Sequence, residues 1–149
     1  MLHLFTIYGK AKTPKDEWPH HYSHDKVGDK VVAEMCNRLQ LPNDFKKAGM
    51  LSAREHMRAS LFEEMRASKK VDFISANYRT RLGLYGLEVI VNSDKVREKD
   101  IKFADLGMQM INEVNGKNII DRDNFEKVKE EIRSNRIKWI KEKEKENGL

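Results

Sequence analysis

The chain contains few of the residues that mark cross-linked, membrane-spanning or irregular proteins. Its single cysteine, Cys36, cannot form an internal disulfide, which excludes a disulfide scaffold and predicts a reducing, cytoplasmic location. Cys36 lies among core-type residues, so we expect a buried thiol and not a nucleophile. No stretch approaches the roughly 18 consecutive apolar residues of a membrane helix, so neither a membrane span nor a membrane partner is expected. The start of the chain is a short apolar stretch followed by a charged tract, which predicts no signal peptide.

The sequence is rich in mixed charge. Charged residues make up 36% and hydrophobic residues 39% of the 149 positions, which is typical of a helical protein with charged surfaces. This length suits one compact domain over residues 1–149. The net charge of +5 is unevenly placed, because residues 44–82 carry nine Lys or Arg against five acids.

A basic segment of this kind favours polyanionic partners. We therefore predict that its cationic side chains contact nucleic acid, while the competing interpretation is that they only solvate helix faces. The predicted contact residues are Lys46, Lys47, Arg54, Arg58, Arg66, Lys69, Lys70, Arg79 and Arg81.

Apolar residues recur at helical spacing in the first half of the chain. A helix over residues 26–40 is predicted from one stripe: Val27, Val31, Met35 and Leu39. Pro42 ends this helix, and Asn43 or Asp44 is expected to cap a second one that runs to about residue 57. Residues 59–76 are expected to be helical as well.

The second half of the chain is less regular at first. Residues 82–92 contain two glycines and then β-branched residues, which predicts a loop with a short extended piece. A helix capped by Ser93 or Asp94 is expected to end near Val114, before an Asn-Gly pair.

A last helix is predicted to begin near Asp123, with Glu126 completing a capping box, and to pass Trp139. Residues 141–149 are expected to fray, since 141–146 have no apolar side chain. The predicted fold class is all-α, a bundle of about five or six helices. The apolar side chains of the last helix could pack within their own domain or across a dimer, so homo-oligomerisation stays open.

Several segments together resemble the C-terminal HD-domain region of bacterial multifunctional CCA proteins, which are tRNA nucleotidyltransferases. The most specific is Trp-Pro-His-His-Tyr-Ser-His-Asp at residues 18–25, followed by Cys-Asn-Arg-Leu-Gln-Leu-Pro-Asn-Asp at residues 36–44. Ser-Ala-Arg-Glu-His at residues 52–56 and Arg-Thr-Arg-Leu-Gly at residues 79–83 follow in the same order as in the family. The resemblance implies a stand-alone HD-like helical domain that lacks the nucleotidyltransferase head and does not add CCA.

HD domains hold a divalent metal with histidines and an adjacent His-Asp doublet. The resemblance places that doublet at Thr6 and Ile7, which are not the histidine and aspartate that bind the metal. The resemblance therefore implies a degenerate domain without a metal cofactor. If a divalent metal is nevertheless bound, the candidate ligands are the residues that match family histidines and their acidic neighbour: His21, His24, Asp25 and His56.

Three functions stay open at this point. The first is a catalytically degenerate domain that binds RNA, such as tRNA, or nucleotide phosphate through its basic surface and remaining histidines. The second is a phosphohydrolase acting on 2′,3′-cyclic phosphates or 2′-nucleotides, with His21, His24 and His56 as catalytic residues. The third is a decoy or inhibitor that binds another protein, of the kind that a phage or mobile element could encode.

Overall fold

A computed structural model describes residues 9–18, 20, 24–94, 99–117, 119, 124–146 and 148. Six α-helices and no strand occur in these residues, which confirms the all-α prediction. The helices are α1 (His24–Arg38), α2 (Asn43–Ser60), α3 (Ala67–Asn77), α4 (Gly83–Asp94), α5 (Ala104–Glu113) and α6 (Phe125–Glu146). Short 3₁₀ turns at Gly9–Lys12, Lys15–Glu17 and Phe62–Glu64 accompany them. No helix in the described ranges is both long and apolar enough to cross a membrane.

The N-terminal part of the bundle is built by α1, which packs on α2 and against the turn at Gly9–Lys12. Its core is small and consists of Val32, Cys36 and Ala53. The burial of Cys36 confirms the prediction of a buried thiol. The buried stripe runs through His24, Val32 and Cys36, whereas the predicted stripe included Leu39, which is 56% exposed. Neighbouring residues of a helix point about 100° apart. The predicted stripe and the buried stripe therefore have the same period but lie on different faces of α1.

The larger core lies among α3, α4, α5 and α6. Phe62, Phe73 and Phe103 form its centre, with ring centroids 5.1 to 5.7 Å apart and two tilted pairs beside one edge-to-face pair. Ile140 of α6 is fully buried in this core, and Trp139 packs against it. The apolar side of the last helix therefore packs within its own chain.

The prediction of a loop over residues 82–92 is wrong, because α4 occupies most of this stretch. Leu84, Leu87 and Val91 recur at spacings of three and four and are buried, so helical periodicity outweighs the local β-branched composition. Gly83 supplies the positive φ of +64° at which the chain turns into this helix.

The helix predicted from residue 93 or 94 also starts too early, since α5 begins only at Ala104. Side chains of α4 hold the segment before it in a non-helical form. Asn92 accepts from the Ile101 amide and donates to its carbonyl oxygen, both at 2.9 Å. Glu88 accepts from the amides of Phe103 and Ala104 at 2.7 Å, which satisfies the free donors at the start of α5.

Two end predictions also fail. α2 begins at Asn43 after Pro42 and has no side-chain cap, so neither Asn43 nor Asp44 caps it. The tail predicted to fray is helical to Glu146, where an ion pair of Lys143 with Glu146 at 2.8 Å supports the last turn. The predicted cap Asp123 lies outside the described residues, while Asn124 accepts from the Lys127 amide at 3.2 Å.

Candidate functional site

Two of the predicted catalytic histidines meet at the contact between α1 and α2. His24 is the first residue of α1, and His56 lies in the C-terminal half of α2. Their Nε2 atoms are 3.4 Å apart, and their ring centroids are 5.4 Å apart. The residues are only 8% and 3% exposed. His21 lies outside the described residues, and we call His24 and His56 the histidine pair.

Hydrogen bonds to the backbone decide which nitrogens of the histidine pair carry protons. His56 Nδ1 lies 2.8 Å from the Ala53 carbonyl oxygen and 3.2 Å from that of Ser52. Because both carbonyl oxygens only accept, Nδ1 of a neutral His56 carries the hydrogen and its Nε2 accepts. His24 then donates from its own Nε2. The pair thus forms a directed contact that joins the two helices.

The separation of the histidine pair fits two of the ligands of a tetrahedral metal ion. Two nitrogens at about 2.0 to 2.1 Å from a tetrahedral ion lie about 3.4 Å apart. A catalytic metal site, however, generally uses three protein ligands. The described residues contain no cluster of three or more His, Cys, Asp or Glu that could hold an ion. The side chain of the fourth candidate, Asp25, is not among those described, so these residues alone do not form a complete metal site.

The acidic neighbour of His56, Glu55, is paired with two arginine side chains. Glu55 is 8% exposed and accepts from Arg58 at 2.9 Å, while Arg54 lies 3.8 Å away. Arg54 also lies 3.8 Å from Asp29 of α1. Glu55 is therefore a buried carboxylate whose charge is already paired with arginine side chains.

Most of the predicted nucleic-acid contacts are accessible. Lys47, Arg54, Arg58, Arg66, Lys69, Arg79 and Arg81 are exposed. Lys46 is half-buried and donates to Asn37 at 2.9 Å. Lys70 differs from the other eight: it is buried, lies 5.5 Å from the centroid of Phe62, and pairs with Glu144 of α6 at 2.7 Å. Lys70 therefore joins α3 to α6 and is not part of the exposed surface.

Two of the exposed cations act on one carboxylate, Asp72 of α3, together with an arginine from α6. Arg133 of α6 donates to both of its oxygens, at 2.8 and 3.2 Å. This bidentate bond is the main reason that the pKa of Asp72 is lowered, with further contributions from the charges of Lys69 and Arg58 and an opposing effect of partial burial. Three cations, from α2, α3 and α6, thus stabilise the charge of one carboxylate, although Arg58 also pairs with Glu55 and Arg133 also lies 3.7 Å from Glu130. We call Arg58, Lys69 and Arg133 the basic face.

Arg133 was missed when the charge count was restricted to residues 44–82. It lies about 60 residues further along the chain than Asp72. The available signal was the pair Arg133 and Arg136, which are three residues apart and so on adjacent positions of one helix face. Only the packing of α3 against α6 brings this face to the basic segment.

Comparison with known proteins relates part of the chain to multifunctional CCA proteins. It is 38% identical to the one from Herminiimonas arsenicoxydans over 65 residues, which is 44% of this chain and 16% of the relative. It is 38% identical to the one from Xanthomonas euvesicatoria pv. vesicatoria (strain 85-10) over 58 residues, 39% of this chain and 14% of the relative. The protein of Legionella pneumophila (strain Paris) is 35% identical over 66 residues, 44% and 16% of the two chains.

These matches confirm that the chain contains a region related to multifunctional CCA proteins. The matched stretches span about one sixth to one seventh of the relatives' length. No family model matches the chain. No solved structure matches it either. The HD character of the domain and the loss of its doublet stay predictions, and Thr6 and Ile7 lie outside the described residues.

Proposed function

We propose that this chain binds RNA, with tRNA as the first candidate, or nucleotide phosphate through its basic face. The observation that carries the proposal is that Arg58, Lys69 and Arg133, which come from three helices, all act on Asp72 and lower its pKa while their side chains reach solvent. A region related to multifunctional CCA proteins supports RNA as the polyanion.

The basic face has the exposure that phosphate contacts require. The side chains of Arg58 and Arg133 are 48% and 40% exposed, and Lys69 is exposed as well. Arg58 is anchored 5.5 Å from the ring centroid of Phe73, and Arg133 is anchored by its bidentate bond to Asp72. When such cations bind phosphates, they release the counterions condensed on the nucleic acid. Affinity therefore falls steeply as the salt concentration rises.

The histidine pair supports this surface indirectly. Because both rings are buried between α1 and α2, little of either reaches solvent. We propose that the pair holds α1 on α2, the helix that carries Arg54 and Arg58. A direct contact of these histidines with phosphate is not needed for RNA binding.

The proposal is tested by measuring the affinity of a fluorescent tRNA between about 50 and 200 mM salt. The double variant Arg58→Ala/Lys69→Ala should lower the slope of log affinity against log salt by about 0.7 to 0.9 for each lost contact. The matched control is Lys138→Ala/Lys145→Ala, which removes the same charge from the far side of α6, about 180 to 200° round from Arg136.

The two double variants give opposite expectations. We expect the control to keep most of the salt slope and the variant of the basic face to lose much of it. Weak binding that is independent of salt, or equal losses in both variants, would show that the basic face is not the RNA site. Lys70→Met is a second comparison, since it should alter stability but leave the salt slope unchanged.

The geometry of the histidine pair supports one alternative, a metal-dependent phosphohydrolase. Its Nε2 separation of 3.4 Å suits two ligands of a tetrahedral ion. The test is incubation of 2′,3′-cyclic AMP with Ni²⁺, Mn²⁺ or Mg²⁺, beside a His24→Ala/His56→Ala variant. Metal-dependent turnover that is lost in the variant would replace RNA binding as the primary proposal. An intact substrate would leave RNA binding in place.

A further inference from the structure

A groove of about 740 Å³ lies between α3 and α6, directly beside the basic face. Asp72 and Arg133 form the border that the two share. The groove continues past them to Ser75, Tyr78 and Arg136. Its volume falls in the range of small-ligand sites, about 300 to 1,000 Å³. The charges in this groove are not evenly paired.

Arg136 is the guanidinium whose charge the described residues do not balance. Its Nε donates to the Val114 carbonyl oxygen at 3.0 Å, and one terminal nitrogen donates to Ser75 Oγ at 3.1 Å. Both acceptors are neutral. Partial burial lowers the pKa of Arg136, the nearby charge of Arg79 lowers it further, and Tyr78 opposes them. No carboxylate in the described part of the chain contributes to raising it. Charges withdrawn from solvent are ordinarily paired, so this half-buried one favours an external anion.

The acids that line the groove already have cationic partners. Asp72 is held by Arg133 in the bidentate bond, and Glu130 lies 3.7 Å from the same guanidinium. Glu126 lies 3.9 Å from Lys129. Arg136 therefore differs from Arg133, three residues earlier on the same helix, because only Arg133 has a carboxylate partner among the described residues.

Arg79 adds a second guanidinium to the same groove. It is exposed at the end of α3, where it lies 5.0 Å from the ring centroid of Tyr78. Two guanidinium groups in one groove provide forked donors that suit the oxygens of a phosphate. The described structure thus offers a phosphate both charge and directional hydrogen bonds.

An aromatic ring also lines the groove. Phe125, the first residue of α6, is 71% exposed although it is one of the largest apolar side chains in the chain. Lys129 lies 5.4 Å from its centroid. An exposed ring beside cations is the arrangement on which single-stranded nucleic acid bases stack.

We infer that this groove binds one nucleotide unit, with its phosphate on Arg136 and Arg79 and its base stacked on Phe125. The inference deepens the proposed function, on which it rests, by assigning a defined subsite next to the basic face. The unit can belong to an RNA strand or to a free mononucleotide, because the groove recognises the chemistry that the two share.

The test is calorimetric titration of the full chain at low salt with AMP, adenosine and inorganic phosphate. AMP should bind, and adenosine or phosphate alone should bind at least about tenfold more weakly, because each lacks half of the contacts. Arg79→Ala and Phe125→Ala should each weaken AMP about tenfold and leave the melting temperature nearly unchanged, since both side chains are exposed.

Arg136→Gln should weaken AMP by more than tenfold, but it also removes bonds to Val114 and Ser75 and can alter folding. Its melting curve and the two exposed variants keep the test decisive. Lys138→Ala/Lys145→Ala is the charge-matched control and should bind AMP nearly as wild type does. The inference is overturned if wild type does not bind AMP, if adenosine binds as tightly, or if Arg79→Ala and Phe125→Ala leave AMP affinity unchanged.

The two proposals fail separately. Salt-dependent tRNA binding without AMP binding would overturn the groove and leave the basic face as the RNA site. AMP binding that needs Arg79 and Phe125, without any tRNA binding, would support the groove and assign it to free mononucleotides. An oligoribonucleotide that competes with AMP for the groove would assign the site to an RNA strand.

Discussion

The contact between α1 and α2 and the bundle of α3 to α6 are stabilised by different chemistry. Three phenylalanine rings and a fully buried Ile140 form the centre of the larger core. Among the described residues the smaller core contains Val32, Cys36 and Ala53, and four buried polar residues adjoin it: His24, Ser52, Glu55 and His56. Apolar burial therefore explains the larger core, whereas directed hydrogen bonds contribute much of the smaller one.

This difference bears on function. Buried polar groups stabilise a fold only when each is paired, so they are poor choices where packing alone is required. The α1–α2 contact nevertheless contains two of them in the histidine pair, and one oxygen of Asp29 has no hydrogen-bond partner among the described atoms. The histidine pair and Asp29 show that apolar packing alone does not explain the residues at the contact between α1 and α2.

The largest expected effect is the loss of an aromatic ring from the larger core. Phe73→Ala should destabilise the fold by about 3 to 5 kcal/mol, because Phe73 is fully buried between Phe62 and Phe103. Val32→Ala in the smaller core should cost about 2 kcal/mol. Urea denaturation of both variants measures the difference. Equal losses would mean that the two cores contribute alike and that the contrast between them is wrong.

The second effect tests how tightly the larger core is packed. A methyl group added at Gly107 would lie 2.6 Å from Leu84 Cδ1 and 3.2 Å from Ile74. Gly107→Ala should therefore cost about 1 to 3 kcal/mol, although alanine is the better helix former. Gly86→Ala is the matched variant: its new methyl would approach only Leu82, at 3.2 Å. We expect Gly86→Ala to be close to neutral in thermal melting, and a Gly107→Ala variant as stable as wild type would contradict tight packing.

The third effect concerns the smaller core. His56→Ala removes the bonds to Ala53 and His24 and should cost about 1 to 3 kcal/mol, the usual penalty for unpaired buried groups. Hydrogen exchange should show faster opening of α1 than of α5 or α6 in this variant. His24→Gln retains an N–H donor near the position of His24 Nε2 and should lose less stability. Uniformly faster exchange across all helices would show that α1 is not a separate unit.

The helices could be predicted from sequence where apolar period and proline agree, as they do around α1, Pro42 and α2. The helices could not be predicted where the local amino-acid composition and the apolar period conflict. The stretch Val89-Ile90-Val91 is β-branched, and it becomes helical because Leu84, Leu87 and Val91 face the aromatic core. The tail of α6 is helical because Lys70 and Glu144 join it to α3, a contact 74 residues apart.

The candidate site shows the same limit. Lys69 and Lys70 are neighbours in the basic segment, yet one is exposed and the other is buried in an ion pair. A count of charges along the chain cannot separate them. It also cannot include Arg133 or Arg136, which reach the basic face and the adjoining groove only through the packing of α6 on α3. Their functional grouping depends on tertiary structure.

The smallest expected effect on stability lies in the basic face itself. The pKa of Asp72 is lowered in the fold, so its ion pair with Arg133 stabilises the protein above the ordinary aspartate range and is lost as the pH falls below about 4. Asp72→Asn should therefore cost at most about 1 kcal/mol at neutral pH, because both side chains are about two-fifths exposed and solvent screens them. The difference in the free energy of unfolding should vanish in acid.

The same substitution should act on RNA in the opposite direction. Asp72→Asn removes the carboxylate on which Arg58, Lys69 and Arg133 all act, so tRNA affinity should rise as stability falls. Glu130→Gln is the control: its carboxylate is 3.7 Å from Arg133 and 73% exposed, so it should change stability little. A stability difference for Asp72→Asn that is the same at pH 3 and pH 7 would contradict the ion pair. A fall in tRNA affinity would contradict the expected competition between Asp72 and phosphate, and would show that the bidentate bond instead positions Arg133 for RNA.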